Sequence, residues 1–190
     1  FVGSDLRDAF VMYNDITYCN GIVFLGDNSK YGMDIHIVGN IIDVSEAGIF
    51  MNDINNSTIE ITGGWISVSG TTKNDIFINK CNNVTISNVE LEGDLCTGES
   101  TGIVVLDCGA VNIQGCSFLN FYFPFRNINA LTSFVANSII AKKNDFTQQT
   151  TLKFAVYNLS STLNVLGNNI YSDGTLQYEN ALACSTGSIY

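Results

Sequence analysis

Basic residues are scarce in this chain. Lys and Arg together number 8 against 18 Asp and Glu, so the formal net charge at pH 7 is -10. A surface with this charge repels the phosphates of nucleic acids and the headgroups of anionic lipids. The composition therefore argues against a nucleic-acid partner and against binding to an anionic membrane face.

Long apolar runs are also missing. No stretch approaches the roughly 18 apolar residues of a membrane-spanning helix, and no basic region followed by an apolar one follows Phe1. We expect a soluble protein without membrane insertion and, since the chain has no initiator Met, a piece of a longer polypeptide. Its 190 residues are 46% hydrophobic, and no composition shift divides them, so a single domain over 1–190 is predicted.

Motifs for metals, cofactors and nucleophiles are absent as well. His36 is the single histidine, and no C-x-x-C pair occurs, so no zinc site can be assembled. There is no G-x-G-x-x-G, P-loop, H-E-x-x-H or G-x-S-x-G. We predict no metal and no other cofactor. Free thiols are expected, with three disulfides as the alternative, for the six cysteines: Cys19, Cys81, Cys96, Cys108, Cys116 and Cys184.

What the sequence does contain is a repeated phrase. "VTISNVEL" at 84–91 returns in the same apolar spacing as "IEITGGWI" at 59–66, "VNIQGCSF" at 111–118 and "LNVLGNNI" at 163–170. Gly or Asn commonly stands near its middle, where a left-handed backbone costs these residues least. Alternation on both sides of that point indicates a short strand, a bend and a second strand. The predicted first-position ladder is Ile35, Ile59, Val84, Val111, Ile139 and Leu163, and the fifth copy is taken as Ile139, Ala141, Lys143 and Phe146.

A second phrase precedes each copy of the first. It reads "GIVF" at 21, "GIFM" at 48, "DIFI" at 75, "GIVV" at 102, "YFPF" at 122 and "KFAV" at 153. Repeats of about 24 to 28 residues built from short strands predict a solenoid whose coils stack as parallel sheets. Each coil would supply one strand to each of about three sheets.

With this repeat the sequence resembles the right-handed parallel β-helix proteins, a group that includes pectate lyases, polygalacturonases and bacteriophage tailspikes. The resemblance implies an all-β, right-handed parallel β-helix solenoid of about six complete coils, over roughly residues 20–172. Residues 1–19 could begin an earlier coil, because Ile16 precedes Ile42 by one repeat length. Residues 173–190 stay unassigned.

Several tempting residues fall into ladders. We predict that Cys81 and Cys108 pack inward as small hydrophobes, in a row completed by Ile54, Ile128 and Leu159. The position before that row alternates charge and is expected to form weak surface pairs; it holds Asp53, Lys80, Asp107, Asn127 and Asn158. A catalytic pair of Asp53 and Asp107 is the minor alternative, with Lys80 between them.

One outward row is apolar. In the second phrase it contains Val23, Phe50, Phe77, Val104, Pro124 and Ala155. An exposed apolar stripe usually marks an interface, and tailspikes that resemble this fold are trimers. We predict a subunit interface at Val23, Phe50, Phe77 and Val104 in a homotrimer, with cover by a loop or terminal segment as the alternative.

The other outward rows are polar or aromatic. We place His36, Glu60, Thr85, Asn112, Ile140 and Asn164 in one, and Ile41, Trp65, Glu90, Ser117, Asp145 and Asn169 in the other. Trp65 should lie one coil from Glu90 and near Glu60 and His36. An exposed aromatic ring beside carboxylates and amides suits a sugar ring, so these four residues are the predicted glycan site. In the alternative, Trp65 fills a hole under a loop.

Catalysis would need two carboxyl groups roughly 5 to 9.5 Å apart, and Glu60 and Glu90 are the candidates. The N-T-D, D-D, G-H-G and R-I-K blocks of polygalacturonases are absent. Arg126 also lacks the acidic cluster that calcium-dependent pectate lyases use. We therefore leave enzymatic activity open.

Three functional hypotheses follow. The preferred one is a phage tailspike-like segment in the virion tail that recognises bacterial surface polysaccharide, with a secreted protein as the alternative location. The second is a glycan-degrading enzyme on the same fold, either a glycoside hydrolase or a polysaccharide lyase. The third is a structural spacer.

Overall fold

The chain forms a parallel β-solenoid. In the computed structural model the described residues are 8–26, 34–55, 57–71, 73–144, 147, 152–174 and 176–190, and within them every regular element is a strand. Three long parallel sheets run along the column, and each coil contributes one strand to each of them. Six coils are complete, so the predicted fold class is confirmed.

The sheets follow one another around each coil. Sheet I contains β1 (Asp8–Met12), β4 (Asp34–Val38), β7 (Thr58–Thr62), β11 (Val84–Ser87), β15 (Ala110–Gln114), β18 (Leu131–Val135), β21 (Ser161–Leu166) and β24 (Gly187–Ile189). Sheet II contains β2 (Asp15–Thr17), β5 (Ile41–Val44), β8 (Trp65–Val68), β12 (Glu90–Glu92), β16 (Ser117–Leu119), β19 (Ser138–Ala141) and β22 (Asn169–Ser172). Sheet III contains β3 (Ile22–Leu25), β6 (Ala47–Asn52), β10 (Asn74–Asn79), β14 (Thr101–Leu106), β17 (Phe123–Ile128), β20 (Leu152–Leu159) and β23 (Tyr178–Cys184). A small fourth sheet pairs β9 (Gly70–Thr71) with β13 (Cys96–Thr97).

Both ends of the described chain extend the column. Strands β1 and β2 pair with β4 and β5, with Ile16 opposite Ile42, as the spacing predicted. Strands β23 and β24 pair with β20 and β21. The segment left unassigned from the sequence thus carries two strands of a further, partial coil.

The core is a stack of side chains from the three sheets. Ile35, Ile59, Val84 and Val111 follow one another in register on sheet I, each at most 4% exposed. Burial of such side chains stabilises a fold by roughly 1.5–3 kcal/mol each. Because parallel strands buried within a column need neighbours on both sides, each coil depends on the next.

The prediction for the fifth coil is wrong by one strand. Val111 pairs with Thr132, and Thr132 pairs with Leu163, so Thr132 and not Ile139 occupies the first-position ladder. Ile139 lies on sheet II opposite Phe118, and the left-handed bend is at Ala136 rather than Lys143. Phe146 lies outside the described residues, as does Asp145.

The reason for this error is an uneven repeat. The bend residues Cys116 and Asn137 are 21 residues apart, whereas Asn137 and Asn168 are 31 apart. Because the first interval is short and Thr132 is polar at a core position, the pattern does not reveal the true fifth copy of the phrase. The adjacent apolar run Ile139–Ala141 has the same alternation and therefore resembles that copy.

The same offset affects sheet III. Ile103 pairs with Phe125, so the outward row after Val104 continues with Arg126 and Tyr157, while Pro124 and Ala155 are buried. Ile128 lies opposite Leu106, two places before Cys108. One of the predicted surface pairs is present: Lys80 Nζ lies 3.8 Å from Asp53 Oδ1.

Asn127 and Asn158 do not belong to that surface row. Both are 0% exposed, and the Asn127 amide donates to the Asn158 side-chain oxygen at 2.9 Å. They lie in register with Val105, inside the column. Asn127 Oδ1 accepts from the Thr132 hydroxyl at 2.7 Å, and Asn158 Nδ2 donates to the Ser161 carbonyl at 3.2 Å. These partners make the burial of both amides tolerable.

Two adjacent glycines at one bend provide a test of coil-to-coil packing. Gly64 has a φ of 89°, and a Cβ there would lie 2.3 Å from the Asn40 carbonyl oxygen of the preceding coil. Gly63 also has a positive φ, 61°, but nothing lies within 4 Å of its added Cβ. We expect Gly63→Ala to cost about 1–2 kcal/mol from left-handed strain, and Gly64→Ala to cost about 1–3 kcal/mol more from overpacking. Urea unfolding of both variants measures the difference; equal costs would contradict the close approach.

Candidate functional site

A groove runs along the outer face of sheet I. Its volume is about 520 Å³, and it crosses five strands, from β7 to β21. The lining residues carry hydroxyl, amide or apolar side chains, with no charged group among them: Thr58, Asn83, Val84, Thr85, Ala110, Val111, Asn112, Leu131, Thr132, Ser133, Thr162 and Asn164.

Strand alternation explains this composition. Val84 and Ile86 face the core, so Thr85 between them faces outward. Asn112, Ser133 and Asn164 continue the outward row in register. The predicted member Ile140 is not in it, because it lies on sheet II. The result is a row of hydrogen-bonding side chains repeated at about 4.8 Å, the distance between neighbouring strands.

Two of the predicted site residues lie at one end of the same row. Thr85 pairs with Glu60, and Glu60 pairs with His36. His36 Nδ1 lies 3.0 Å from Glu60 Oε2, and the His36 ring stacks on Phe10 at 4.9 Å between centroids. The Thr62 hydroxyl donates to the other Glu60 oxygen at 3.2 Å. These contacts fix the Glu60 carboxylate in place.

The other two predicted site residues lie around the bend, on sheet II. Trp65 pairs with Glu90, one coil apart as expected. His36 and Glu60 belong to sheet I, whereas Trp65 and Glu90 belong to sheet II, so the bend of the coil lies between the two pairs.

Trp65 is partly buried, and its partner is a residue that the sequence did not indicate. Its indole N–H donates to Glu92 Oε2 at 3.0 Å. A pocket of about 140 Å³ adjoins this contact. Its lining consists of Trp65, Glu90, Leu91, Glu92, Ser117, Leu119 and Ile140.

Glu92 belongs to a pair of interacting carboxyl groups. Burial raises the pKa of Glu92, and a hydrogen bond from its side chain to Asp94 raises that pKa further. Asp94 is 0% exposed and accepts from Asn120 Nδ2 at 2.6 Å, Asn144 Nδ2 at 2.6 Å and Thr147 Oγ1 at 2.7 Å. Asp94 thus accepts from three donors, whereas Glu92 accepts from the Trp65 N–H, a hydrogen bond that lowers the Glu92 pKa.

A third carboxyl group lies inside the column nearby. Asp75 is opposite Gly48 in the sheet III register, and a Cβ added at Gly48 would meet the Ile66 side chain at 2.6 Å, so this row faces sheet II. Asp75 is 1% exposed, and burial raises its pKa well above the usual range, with the charge of Glu92 adding to the effect. The Glu92 and Val68 backbones lie near the carboxyl, but neither forms a well-aligned hydrogen bond.

These three acids were missed for different reasons. Glu92 stands two places after Glu90, and strand alternation alone would put both on the outer face. Asp94 follows the strand in a turn, where period-two patterning ends. Asp75 begins the phrase "DIFI", in which only the apolar residues were informative.

The described cysteines are all free, as expected. Burial raises the pKa of the Cys81 and Cys96 thiols to about 12 and that of Cys116 to about 11. Such thiols are protonated at neutral pH and therefore poor nucleophiles and poor metal ligands. The described residues also contain no group of His, Cys, Asp and Glu arranged to hold a metal ion.

The predicted interface row is partly exposed on sheet III. The Phe50 and Phe77 rings stack at 5.1 Å between centroids. Further along the row, the Arg126 guanidinium lies 5.0 Å from the Phe123 ring centroid and 5.7 Å from that of Tyr157. Val104 between them is only 5% exposed. The stripe is thus apolar at Phe50 and Phe77 and cationic at Arg126.

Comparison with known proteins adds little. No protein-family model matches the chain, and no curated protein does. One solved structure, a "putative glycosyl hydrolase" from Parabacteroides merdae, is similar at a TM-score of 0.31 and 12% identity, covering 90% of this chain and 82% of that one. Likeness at this level carries no argument about activity. In the described part of the chain, no helix is long and apolar enough to cross a membrane.

Asp75 gives a pH-dependent test of the buried acids. Because its pKa is raised in the folded state, its contribution to stability is present below the unfolded-state pKa of about 3.9 and is lost as the pH rises toward the folded value. We expect Asp75→Asn, which mimics the neutral acid, to stabilise the protein at pH 7 and to have little effect near pH 3. Denaturant unfolding at both pH values measures this.

Asp34→Asn, at an exposed position that begins β4, is the matched control and should change stability little. A loss of stability in Asp75→Asn at pH 7 would show instead that the Asp75 carboxylate is favourably bound.

Proposed function

We propose that this protein binds a neutral polysaccharide along the sheet I groove. The groove itself is the observation that carries the proposal. It has a volume of about 520 Å³, extends across five coils and has Thr, Ser and Asn side chains along it. Sugar hydroxyls are both donors and acceptors, as these side chains are. A spacer would have no need of such a surface.

The dimensions suit an extended ligand. Five strands spaced by about 4.8 Å span roughly 19 Å from first to last. Thr85, Asn112, Ser133 and Asn164 present hydrogen-bonding groups at that spacing on rigid strands. A rigid, repeating row binds a repeating chain with little loss of protein conformational freedom, which favours affinity.

Charge determines the substrate class. The net charge of -10 repels polyanionic glycans at low salt, and the residues that line the groove offer no cation to offset this. A neutral polysaccharide meets no such repulsion. Within this class, a bacterial surface polysaccharide recognised by a phage tailspike-like segment is the specific role we propose, with a virion-tail location.

The groove proposal predicts a defined loss of binding. Asn112→Ala removes an amide from the middle of the outward row, and we expect it to weaken binding about fivefold to tenfold, the effect of one or two hydrogen bonds. Asn169→Ala, at an exposed position on sheet II, is the matched control and should leave binding unchanged. Affinity electrophoresis against neutral and acidic bacterial polysaccharides measures both variants.

Salt separates the glycan classes in the same experiment. Binding of a neutral glycan should be the same at low salt and at about 0.5 M salt, because no charges need screening. The groove is ruled out as the site if the parent protein retains no polysaccharide, or if Asn112→Ala and Asn169→Ala weaken polysaccharide binding equally.

We also propose that the protein assembles as a homotrimer through the Phe50 and Phe77 surface of sheet III, with Val23 beside it. Phe77→Lys should convert the oligomer to monomer with the coils still folded, because a buried unpaired charge is costly at an interface. Phe10→Lys changes an exposed phenylalanine on sheet I and should preserve the oligomer. Light scattering gives the masses, and an unchanged mass for Phe77→Lys would remove this interface.

A further inference from the structure

The Trp65 pocket on sheet II differs from the groove in its chemistry. Glu90 and Glu92 are two residues apart on β12, with Leu91 between them in the core, so both face outward into the pocket. Their Cα atoms are therefore about 6.6 Å apart along the strand. Trp65 on the neighbouring strand lies opposite Glu90 and is hydrogen-bonded to Glu92. An aromatic ring and two carboxyl groups thus share a concave site.

The two carboxyl groups have different surroundings. Glu92 is held by the Trp65 N–H and lies against Asp94, which accepts three hydrogen bonds of its own. Burial and the neighbouring Asp94 raise the pKa of Glu92, which favours its protonated form, while the Trp65 N–H lowers it. Glu90 is exposed at the mouth of the pocket. Two acids with different environments are the arrangement that separates proton donor from proton acceptor.

A buried polar atom lies beside this pair. Ser67 is on β8, in register with Glu92 and between the core residues Ile66 and Val68, so it faces outward on the same surface. It is 1% exposed, yet its hydroxyl has no hydrogen-bond partner. Buried hydroxyls are normally paired. Ser67 therefore leaves an unpaired hydroxyl opposite Glu92 on the neighbouring strand.

We propose that the Trp65 pocket hydrolyses a glycosidic bond, with Glu92 as general acid and Glu90 as general base. Glu92 gives its proton to the glycosidic oxygen as the bond from that oxygen to the anomeric carbon breaks. A water molecule forms the new bond to the anomeric carbon and gives its proton to Glu90. Solvent then returns a proton to Glu92 and takes one from Glu90. Asp94 is a positioning residue, since it acts through Glu92.

Hydrolysis fits the pocket better than lyase chemistry. A lyase abstracts a proton beside a uronate carboxylate, whose charge must be neutralised for that step. The residues that line the pocket carry only carboxylate charge, and the charge of Asp43 also acts on Glu92. This inference rests on the proposed glycan function, but it uses a different surface from the groove. The two proposals can therefore fail separately.

The test uses substrates with good and poor leaving groups. Neutral bacterial O-antigen polysaccharides need acid assistance to their leaving oxygen, whereas dinitrophenyl glycosides of neutral hexoses and deoxyhexoses do not. We expect Glu92→Gln to lower reducing-end release from the polysaccharide by at least 100-fold while largely keeping activity on the dinitrophenyl substrates. Glu90→Gln should lower both. A merely structural role for Glu92 would not separate the two substrates.

Glu179→Gln is the matched control, because it changes an exposed glutamate on β23 of sheet III and should leave both activities intact. Trp65→Ala should lower both activities, since it removes the ring and the Glu92 hydrogen bond. This assignment is overturned if the parent protein hydrolyses none of the substrates, or if Glu92→Gln cleaves the polysaccharide as fast as the parent does. In either case the effect of Asn112→Ala on binding still decides the groove proposal independently.

Discussion

Hydrogen bonding between successive coils is the constraint on which the rest of this structure depends. Apart from β3 and β22 at the sheet ends, each strand that a complete coil contributes to the three long sheets is paired in parallel with a strand before it and a strand after it. An isolated coil could satisfy few of its backbone groups. Pairing fixes the register, and register fixes which side chains stack inside and which face outward. Ile35, Ile59 and Val84 are buried for the same reason that His36, Glu60 and Thr85 form an outward row.

This constraint converts a repeated sequence into long surfaces of uniform chemistry. On sheet I, outward Thr, Asn and Ser residues merge into one uncharged groove. On sheet III, Phe50 and Phe77 stack and the same row reaches Arg126. On sheet II, neighbouring strands place Trp65 against Glu90 and Glu92. One column thus presents an uncharged groove, an aromatic stripe and an acidic pocket that are built from different residues.

The buried polar groups show what the column tolerates. Asn127 donates to Asn158, and other residues bond the rest of both amides. Asp94 is surrounded by three donors. Asp75 has no comparable partners, and burial raises its pKa well above the usual range. The acids that depart most from ordinary behaviour, Asp75 and Glu92, cluster where sheets II and III approach one another. Burial of acids in that region lowers the stability of the fold, and residues with shifted pKa values are common at catalytic sites.

The sequence by itself determined the parallel β-helix, its six complete coils and most inward ladders, because apolar period-two patterning with left-handed bend residues is local information. It also placed Trp65 one coil from Glu90, since equal repeat lengths there preserve the register. The tertiary structure alone decided the fifth coil, where uneven intervals shift Thr132 into the ladder and Ile139 out of it. It alone showed that the Trp65 indole is hydrogen-bonded to Glu92, because spacing along the chain does not specify side-chain contacts. The surroundings of Asp94 likewise depend on Asn120, Asn144 and Thr147, which approach it from the next two coils. No periodic pattern encodes such a contact.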